Sequence, residues 1–301
     1  MKLKTIPSTI LMFFLVSVSA LEAGETQGFL TNQEINLFHL QGYIVKRQCF
    51  TKEEVDQLRH HVEATIERTI KEIQQSNDQS LSEREQTVHI DGSRIIFKRK
   101  SPESLSIARI NGVGGMQPAV LDTMRSEKMI RTYFELLNTT DLEHIICQLH
   151  PKMPGDGIAF PRHRDIQFRK TFDPHWTDIL GNGSYAICII ALDHMTQENG
   201  GLWIDKNNYP EDQGLEEDIV WIDAHPGDLL FMHPRVFHGS GPNMSPTASR
   251  KTLLTGFCAF GANHKQYPGA DVNVRLTLMK DSTIAKQPIV WEESSTALAG
   301  H

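Results

Sequence analysis

The chain has 301 residues, 30 Lys and Arg against 37 Asp and Glu, a formal charge of −7 and 39 % hydrophobic residues. That apolar share is too high for a disordered protein, 21 Gly and 14 Pro are too few for a collagen or mucin, and a pI near 6.0 argues against a broad nucleic-acid binder. The length suits one globular domain with insertions, residues 24–301.

The first segment reads as a leader. Lys2 and Lys4 precede the uncharged stretch from Ile10 to Val18, which ends in the small residues Ser19 and Ala20. This predicts a signal peptide over residues 1–23, cleaved after Ala20 or Ala23, whose apolar core is too short for a stable membrane span. Export to the outside, a periplasm or the endoplasmic-reticulum lumen follows, with a cytoplasmic protein as the alternative.

Next come two helix starts. Thr31-Asn32-Gln33-Glu34 and Thr51-Lys52-Glu53-Glu54 match the capping box, in which hydroxyl and carboxylate satisfy free amides of a first turn. The second helix carries Val55, Leu58, Val62, Ile66, Ile70 and Ile73 on one stripe that needs an apolar cover. Gly42 to Val45 predicts a short strand between them, and Gln74 to Arg84 is polar enough for an exposed loop. Phe97-Lys98-Arg99-Lys100 reads as a solvated charge run rather than an anion site.

A helical stretch over Val120–Leu137 then gives way to short apolar runs separated by Gly, Pro, Asn and Asp. The runs are Ile145 to His150, Tyr185 to Leu192, Gly201 to Ile204, Asp228 to Met232 and Thr252 to Phe260. Residues from Tyr267 onward read as a wrapping tail. Cys49, Cys147, Cys188 and Cys258 show no framework spacing and no CxxC, so they predict core thiols and leave a thiolate zinc site unsupported.

The chemistry concentrates in two places. His163 and Asp165 stand two residues apart in Phe160-Pro161-Arg162-His163-Arg164-Asp165, so on an extended strand both reach one metal ion. His238 follows far downstream in Phe237-His238-Gly239-Ser240, and His233, just before Pro234, is the weaker candidate for the third ligand. Two imidazoles and one carboxylate leave three positions open on a ferrous ion, which suits oxygen activation. A 2-oxo acid chelating two of them needs a cation for its far carboxylate. Arg250 opens the last apolar run, where its fork can grip that group, and the Ser240 hydroxyl can add a donor. Gln148 and His150 alternate with Cys147 and Leu149, so one strand face could carry both toward the cosubstrate. Trp176 and Trp203 read as packing residues, and Asn199-Gly200-Gly201 as a turn.

These motifs, in this order, resemble the phytanoyl-CoA dioxygenase-like iron(II)/2-oxoglutarate oxygenases. The likeness runs from Leu30 through Gly42-Tyr43-Ile44-Val45, Lys152-Met153-Pro154-Gly155, His163-Arg164-Asp165 and Glu198-Asn199-Gly200-Gly201 to His238-Gly239-Ser240-Gly241-Pro242-Asn243 and Arg250. The resemblance implies a mainly β fold, a double-stranded β-helix (jelly-roll, cupin-like) core with N-terminal helices packed on one sheet. It also implies iron(II) on His163, Asp165 and His238, and 2-oxoglutarate anchored by Arg250 and Ser240. O2 would be the third reactant and a small molecule the substrate, hydroxylated at a C–H bond with release of succinate and CO2. A carboxylate at Asp165, where halogenating relatives resemble the pattern with a small residue, favours hydroxylation. The stretch from Gln167 to Gly183 and Gly201-Leu202-Trp203-Ile204 depart from the family pattern beside the substrate space. A jelly-roll metal sensor without turnover and a zinc-dependent hydrolase are the alternatives, and the oligomeric state stays open.

Overall fold

Both capping boxes form. Glu34 N donates to Thr31 Oγ1 and Thr31 N to the Glu34 carboxylate at the start of α1 (Asn32–Gln41), and Thr51 and Glu54 repeat the exchange at α2 (Lys52–Gln75). β1 (Tyr43–Lys46) lies between them. On α2, Val55, Leu58, Val62, Ile66 and Ile73 are buried, together with Thr65 and Thr69, whose hydroxyls donate to carbonyls one turn back. The computed structural model describes residues 27–76, 80–101 and 104–291. The leader expected over residues 1–23 lies outside the described residues, as does the chain past Trp291.

Three antiparallel strands follow: β2 (Ser82–Ile90), β3 (Ser93–Ser101) and β4 (Ser104–Asn111). They replace the end of the loop expected over Gln74–Arg84 and most of the featureless stretch after it. The physical reason is position. β2 is the outer strand of its sheet, and an edge strand carries charged and polar residues that discourage further pairing, so its composition imitates a loop. The charge run on β3 is only partly solvated, because Arg99 is buried and donates to the Ile73 carbonyl at 2.7 Å.

The helical stretch over Val120–Leu137 is broken. After α3 (Val113–Met116), α4 (Pro118–Met124) ends at Arg125 and α5 (Glu127–Leu137) restarts from Ser126, which has extended backbone angles. The backbone leaves the helical region at Arg125 and Ser126, and the Arg125 guanidinium there donates to His144 Nδ1 and the Asp271 carbonyl. α5 lies on the large sheet, with the buried Tyr133 hydroxyl donating to the Thr255 carbonyl at 2.9 Å.

The remaining strands are β5 (Asp141–Lys152), β6 (Phe160–His163), β7 (Tyr185–Ala191), β8 (Leu202–Asp205), β9 (Ile219–Trp221), β10 (Leu229–Met232), β11 (Phe237–Ser240), β12 (Arg250–Ala259), β13 (Val274–Leu278) and β14 (Ile284–Pro288). The short helix α6 (Asp165–Phe172) follows β6. One sheet runs β1-β10-β7-β12-β5-β4-β3-β2, extended where β13 pairs with β5 and β14 with β13. The other is β6-β11-β8-β9. All pairings are antiparallel, the two facing sheets and flanking helices form the expected jelly-roll, and the supposed tail contributes the β13–β14 hairpin.

The central strands β7, β10 and β12 are buried along their whole length, covered by helices on one face and by the second sheet on the other. Cys188 on β7 and Cys258 on β12 are buried free thiols, as is Cys147 on the neighbouring β5, and Cys49 is a half-buried one. No described helix is long and apolar enough to cross a membrane.

Candidate active site

Strand pairing builds the site. β6 and β11 run antiparallel with His163 directly opposite His238, which sets the two imidazoles 4.2 Å apart, centroid to centroid. Arg164 stays extended, and Asp165 is the first residue of α6 rather than part of the strand. Its carboxylate still reaches the imidazoles: Asp165 Oδ1 lies 3.7 Å from His163 Nε2 and 3.8 Å from His238 Nε2. One ligand atom from each of the three residues falls within 4.8 Å of the others.

Hydrogen bonds fix the tautomers. His163 Nδ1 faces the Pro161 carbonyl at 2.7 Å and His238 Nδ1 the Val236 carbonyl at 3.1 Å, so each Nδ1 carries the proton and each Nε2 presents its lone pair to the common centre. Burial holds the His238 pKa below the usual imidazole range, keeping it neutral as a metal ligand requires. Asp165 Oδ2 is buried without a hydrogen-bond partner. A carboxylate oxygen left bare beside two oriented imidazoles costs free energy that a bound cation relieves. This nitrogen and oxygen donor set, with no thiolate, fits ferrous iron.

The opposite wall is the large sheet. The register pairs Arg250 with Lys152, Thr252 with His150 and Leu254 with Gln148; side-chain alternation brings Gln148, His150, Arg250, Thr252 and Leu254 to the cavity wall, while Lys152 is buried beside Ser240. Arg250 is buried, donates from Nε to the Gly200 carbonyl at 3.2 Å and from Nη1 to Thr252 Oγ1 at 2.8 Å, and burial lowers its pKa only to about 10, so it stays charged. Ser240 Oγ, on the same face of β11 as His238, accepts from Lys152 Nζ at 2.7 Å. Lys152 also donates to the Gly200 and Gly241 carbonyls. Desolvation, with the Arg250 charge second, depresses this amine to about 6. Gln148 Oε1 sits 3.2 Å from His150 Nε2, and the His150 ring stacks on Phe160 at 5.0 Å. Burial holds His150 neutral, so its Nε2–H donates to Gln148 and leaves the Gln148 amide hydrogens for a ligand.

All six residues singled out from sequence therefore border one cavity of about 590 Å³: His163, Asp165, His238, Ser240, Arg250 and Gln148. His233 is elsewhere, donating to the Asn182 carbonyl at 2.7 Å and packed on Phe38 and Tyr209, with burial lowering its pKa to about 4. Trp176 packs on Tyr185. The unusual stretch from Gln167 to Gly183 begins in α6, whose Phe168, Arg169, Thr171 and Phe172 line the cavity, and continues as irregular chain. Lys152 escaped the sequence reading, although extending the Gln148/His150 alternation by one more step lands on it. Arg94 and Arg109 escaped with the β2–β4 hairpins.

The family model for phytanoyl-CoA dioxygenase (PhyH) matches residues 38–252. The chain belongs to the PhyH family. This PhyH-family chain is also similar to solved structures. EctD from S. alaskensis in its apoform is 16% identical, with a TM-score of 0.61 over 84% of each chain. SnoN, a non-heme alpha ketoglutarate dependent epimerase from nogalamycin biosynthesis, is 10% identical, with a TM-score of 0.55 over 81% of this chain and 84% of its own. SnoK, a carbocyclase dependent on alpha ketoglutarate from the same biosynthesis, is 14% identical, with a TM-score of 0.56 over 82% of this chain and 91% of its own. EctD has been solved with bound Fe and with 2-oxoglutarate and 5-hydroxyectoine. At these identities the likeness establishes the shared fold. A comparison with curated proteins returns no match.

Proposed function

We propose that this protein is an iron(II)/2-oxoglutarate-dependent oxygenase that hydroxylates an unactivated C–H bond of a small molecule. The observation that carries this is the gathering of His163, Asp165 and His238 ligand atoms within 4.8 Å, with Asp165 Oδ2 buried and unpartnered. Iron(II) would be held by these three residues, and 2-oxoglutarate by Arg250 and Ser240, with Gln148 and Lys152 beside them. When bound, the metal and cosubstrate supply the oxidising chemistry: substrate R–H, 2-oxoglutarate and O2 become R–OH, succinate and CO2.

The chain's own part is positioning. Arg250 offers a buried, charged fork to the distal carboxylate while its Nε stays fixed on Gly200. Ser240 accepts from Lys152, which frees its own hydroxyl hydrogen for the same carboxylate. Ile187, Ile189 and Leu254 give the cavity apolar walls that exclude water from the reacting groups.

A hydrolase built on the same ligands is disfavoured, because among the described residues Asp165 is the only carboxylate lining the cavity, which leaves no second carboxylate to serve as its general base. SnoN is an epimerase and SnoK a carbocyclase, and nothing in this cavity favours those outcomes over hydroxylation. The deciding experiment incubates purified protein with iron(II), 2-oxoglutarate, O2 and a panel of small molecules, and measures succinate together with oxygen incorporation. Substrate-stimulated succinate with one oxygen added to product is the expected result. Succinate without oxygen incorporation would refute hydroxylation, and no 2-oxoglutarate consumption would refute the oxygenase. We further propose that residues 24–301 act as one catalytic unit, exported by the leader read over residues 1–23.

A further inference from the structure

The cavity is electrically lopsided. Among the described side chains that line it, Arg94, Arg109, Arg169, Arg250 and Lys265 are cationic, and Asp165 alone is a carboxylate. With Asp165 committed to the metal and Arg250 to the cosubstrate, four cations remain around the space left for substrate.

Two of them form a defined patch. Arg94 and Ile96 share one face of β3, Arg109 and Asn111 share one face of β4, and all four line the cavity. The register sets Arg94 opposite Asn111 and Ile96 opposite Arg109, so the guanidiniums occupy diagonal corners of one surface. Asn111 is in turn paired with Gln148, which makes this surface continuous with the cosubstrate wall. Neither arginine is well neutralised. Among the described residues the exposed Arg94 side chain has no ion pair or hydrogen bond, and the half-buried Arg109 side chain has one contact, with Glu85 at 3.5 Å. Deeper in, Arg169 is only 7% exposed, with one end on the Tyr267 hydroxyl and its Nε lacking an acceptor. The nearly buried Arg169 is costly there unless a ligand brings opposite charge, whereas Arg94 and Arg109, more exposed at the cavity wall, keep their forks free to meet an anion.

We infer that the substrate, on the oxygenase reading above, is an apolar molecule with an anionic headgroup, held at that headgroup by Arg94 and Arg109 and laid along the cavity's isoleucines toward His163 and His238. A carboxylate and a phosphate share this chemistry, and the test separates them.

Full-length protein is titrated calorimetrically under anaerobic conditions, with iron(II) and 2-oxoglutarate present, using octanoate, octyl phosphate, octanol and octyltrimethylammonium. At least one anion should bind about tenfold or more tightly than octanol, the difference a charge-assisted hydrogen bond makes, and the tighter anion names the headgroup. Arg94→Gln and Arg109→Gln should each cost about tenfold for that anion and leave octanol unchanged. The double variant Arg94→Glu with Arg109→Glu should prefer the ammonium compound, a gain that misfolding cannot produce. Octanol binding as tightly as both anions, no anion binding at millimolar concentration, or an undiminished anion preference in the double glutamine variant overturns the inference. Titration of 2-oxoglutarate runs in parallel. Its failure to bind counts against the oxygenase reading, whereas lost selectivity among the octyl compounds with 2-oxoglutarate still bound counts against the headgroup site.

Discussion

Arg250 and Lys152 face each other across β12 and β5, and their charge states differ at neutral pH: the guanidinium remains protonated, whereas the amine at about 6 is mostly neutral. A dianion seated against Ser240 favours the ammonium form of Lys152, so cosubstrate binding should take up a proton. Affinity for 2-oxoglutarate then weakens as pH rises from 6 to 8, and calorimetry in buffers of different ionisation enthalpy reads the uptake, which Lys152→Met should remove. Arg250→Gln should raise the 2-oxoglutarate KM by a factor of ten or more, about the loss of one charge-assisted pair, while kcat at saturation changes less. Glu143 supplies a pH test of stability. It is 1% exposed, accepts from Asn263 at 2.8 Å, and burial raises its pKa from 4.5 to about 7. The folded chain therefore holds an extra proton between those values, so this group's contribution to stability falls as pH rises from 4.5 to 7. Above 7 the penalty is about 3 kcal/mol, and urea denaturation of Glu143→Gln should show that gain at pH 8 and none below pH 4.5.

The turn between β7 and β8 ties elements to chemistry, because the Gly200 carbonyl accepts from both Lys152 and Arg250. Gly200 has φ +76°, and a Cβ there would meet the Gly241 carbonyl oxygen at 2.7 Å. Gly200→Ala should destabilise the fold by about 1–3 kcal/mol and raise the 2-oxoglutarate KM, read by denaturation and initial rates. Which elements could be read from sequence follows the same logic of local against nonlocal causes. The capping boxes of α1 and α2 are local, and both helices start where Thr31 and Thr51 predict. β7, β10 and β12 are apolar throughout because both faces are covered, and their composition announced them. β2 to β4 did not announce themselves, since edge position gives β2 the polarity of a loop. The break between α4 and α5 falls where Arg125 reaches Asp271, a contact no local pattern encodes.

At the scale of the molecule, two sheets bring together residues that lie far apart in the chain: His163 and Asp165 after β6's start, His238 and Ser240 on β11, Gln148 on β5 and Arg250 on β12. The motifs identified these residues from sequence because each needs a particular side-chain chemistry, whereas Arg94, Arg109 and Arg169 reach the same cavity, and Lys152 reaches Ser240, only through strand register and helix placement. The jelly-roll is common ground with EctD, SnoN and SnoK, so the reaction outcome rests on the cavity rather than on the fold. The most direct test loads apo-protein anaerobically with iron(II) and measures bound metal per chain. The account predicts one iron in the wild type and near-complete loss in His163→Ala, Asp165→Ala and His238→Ala, each still folded by circular dichroism. Stoichiometric iron retained by folded Asp165→Ala and His238→Ala would contradict it.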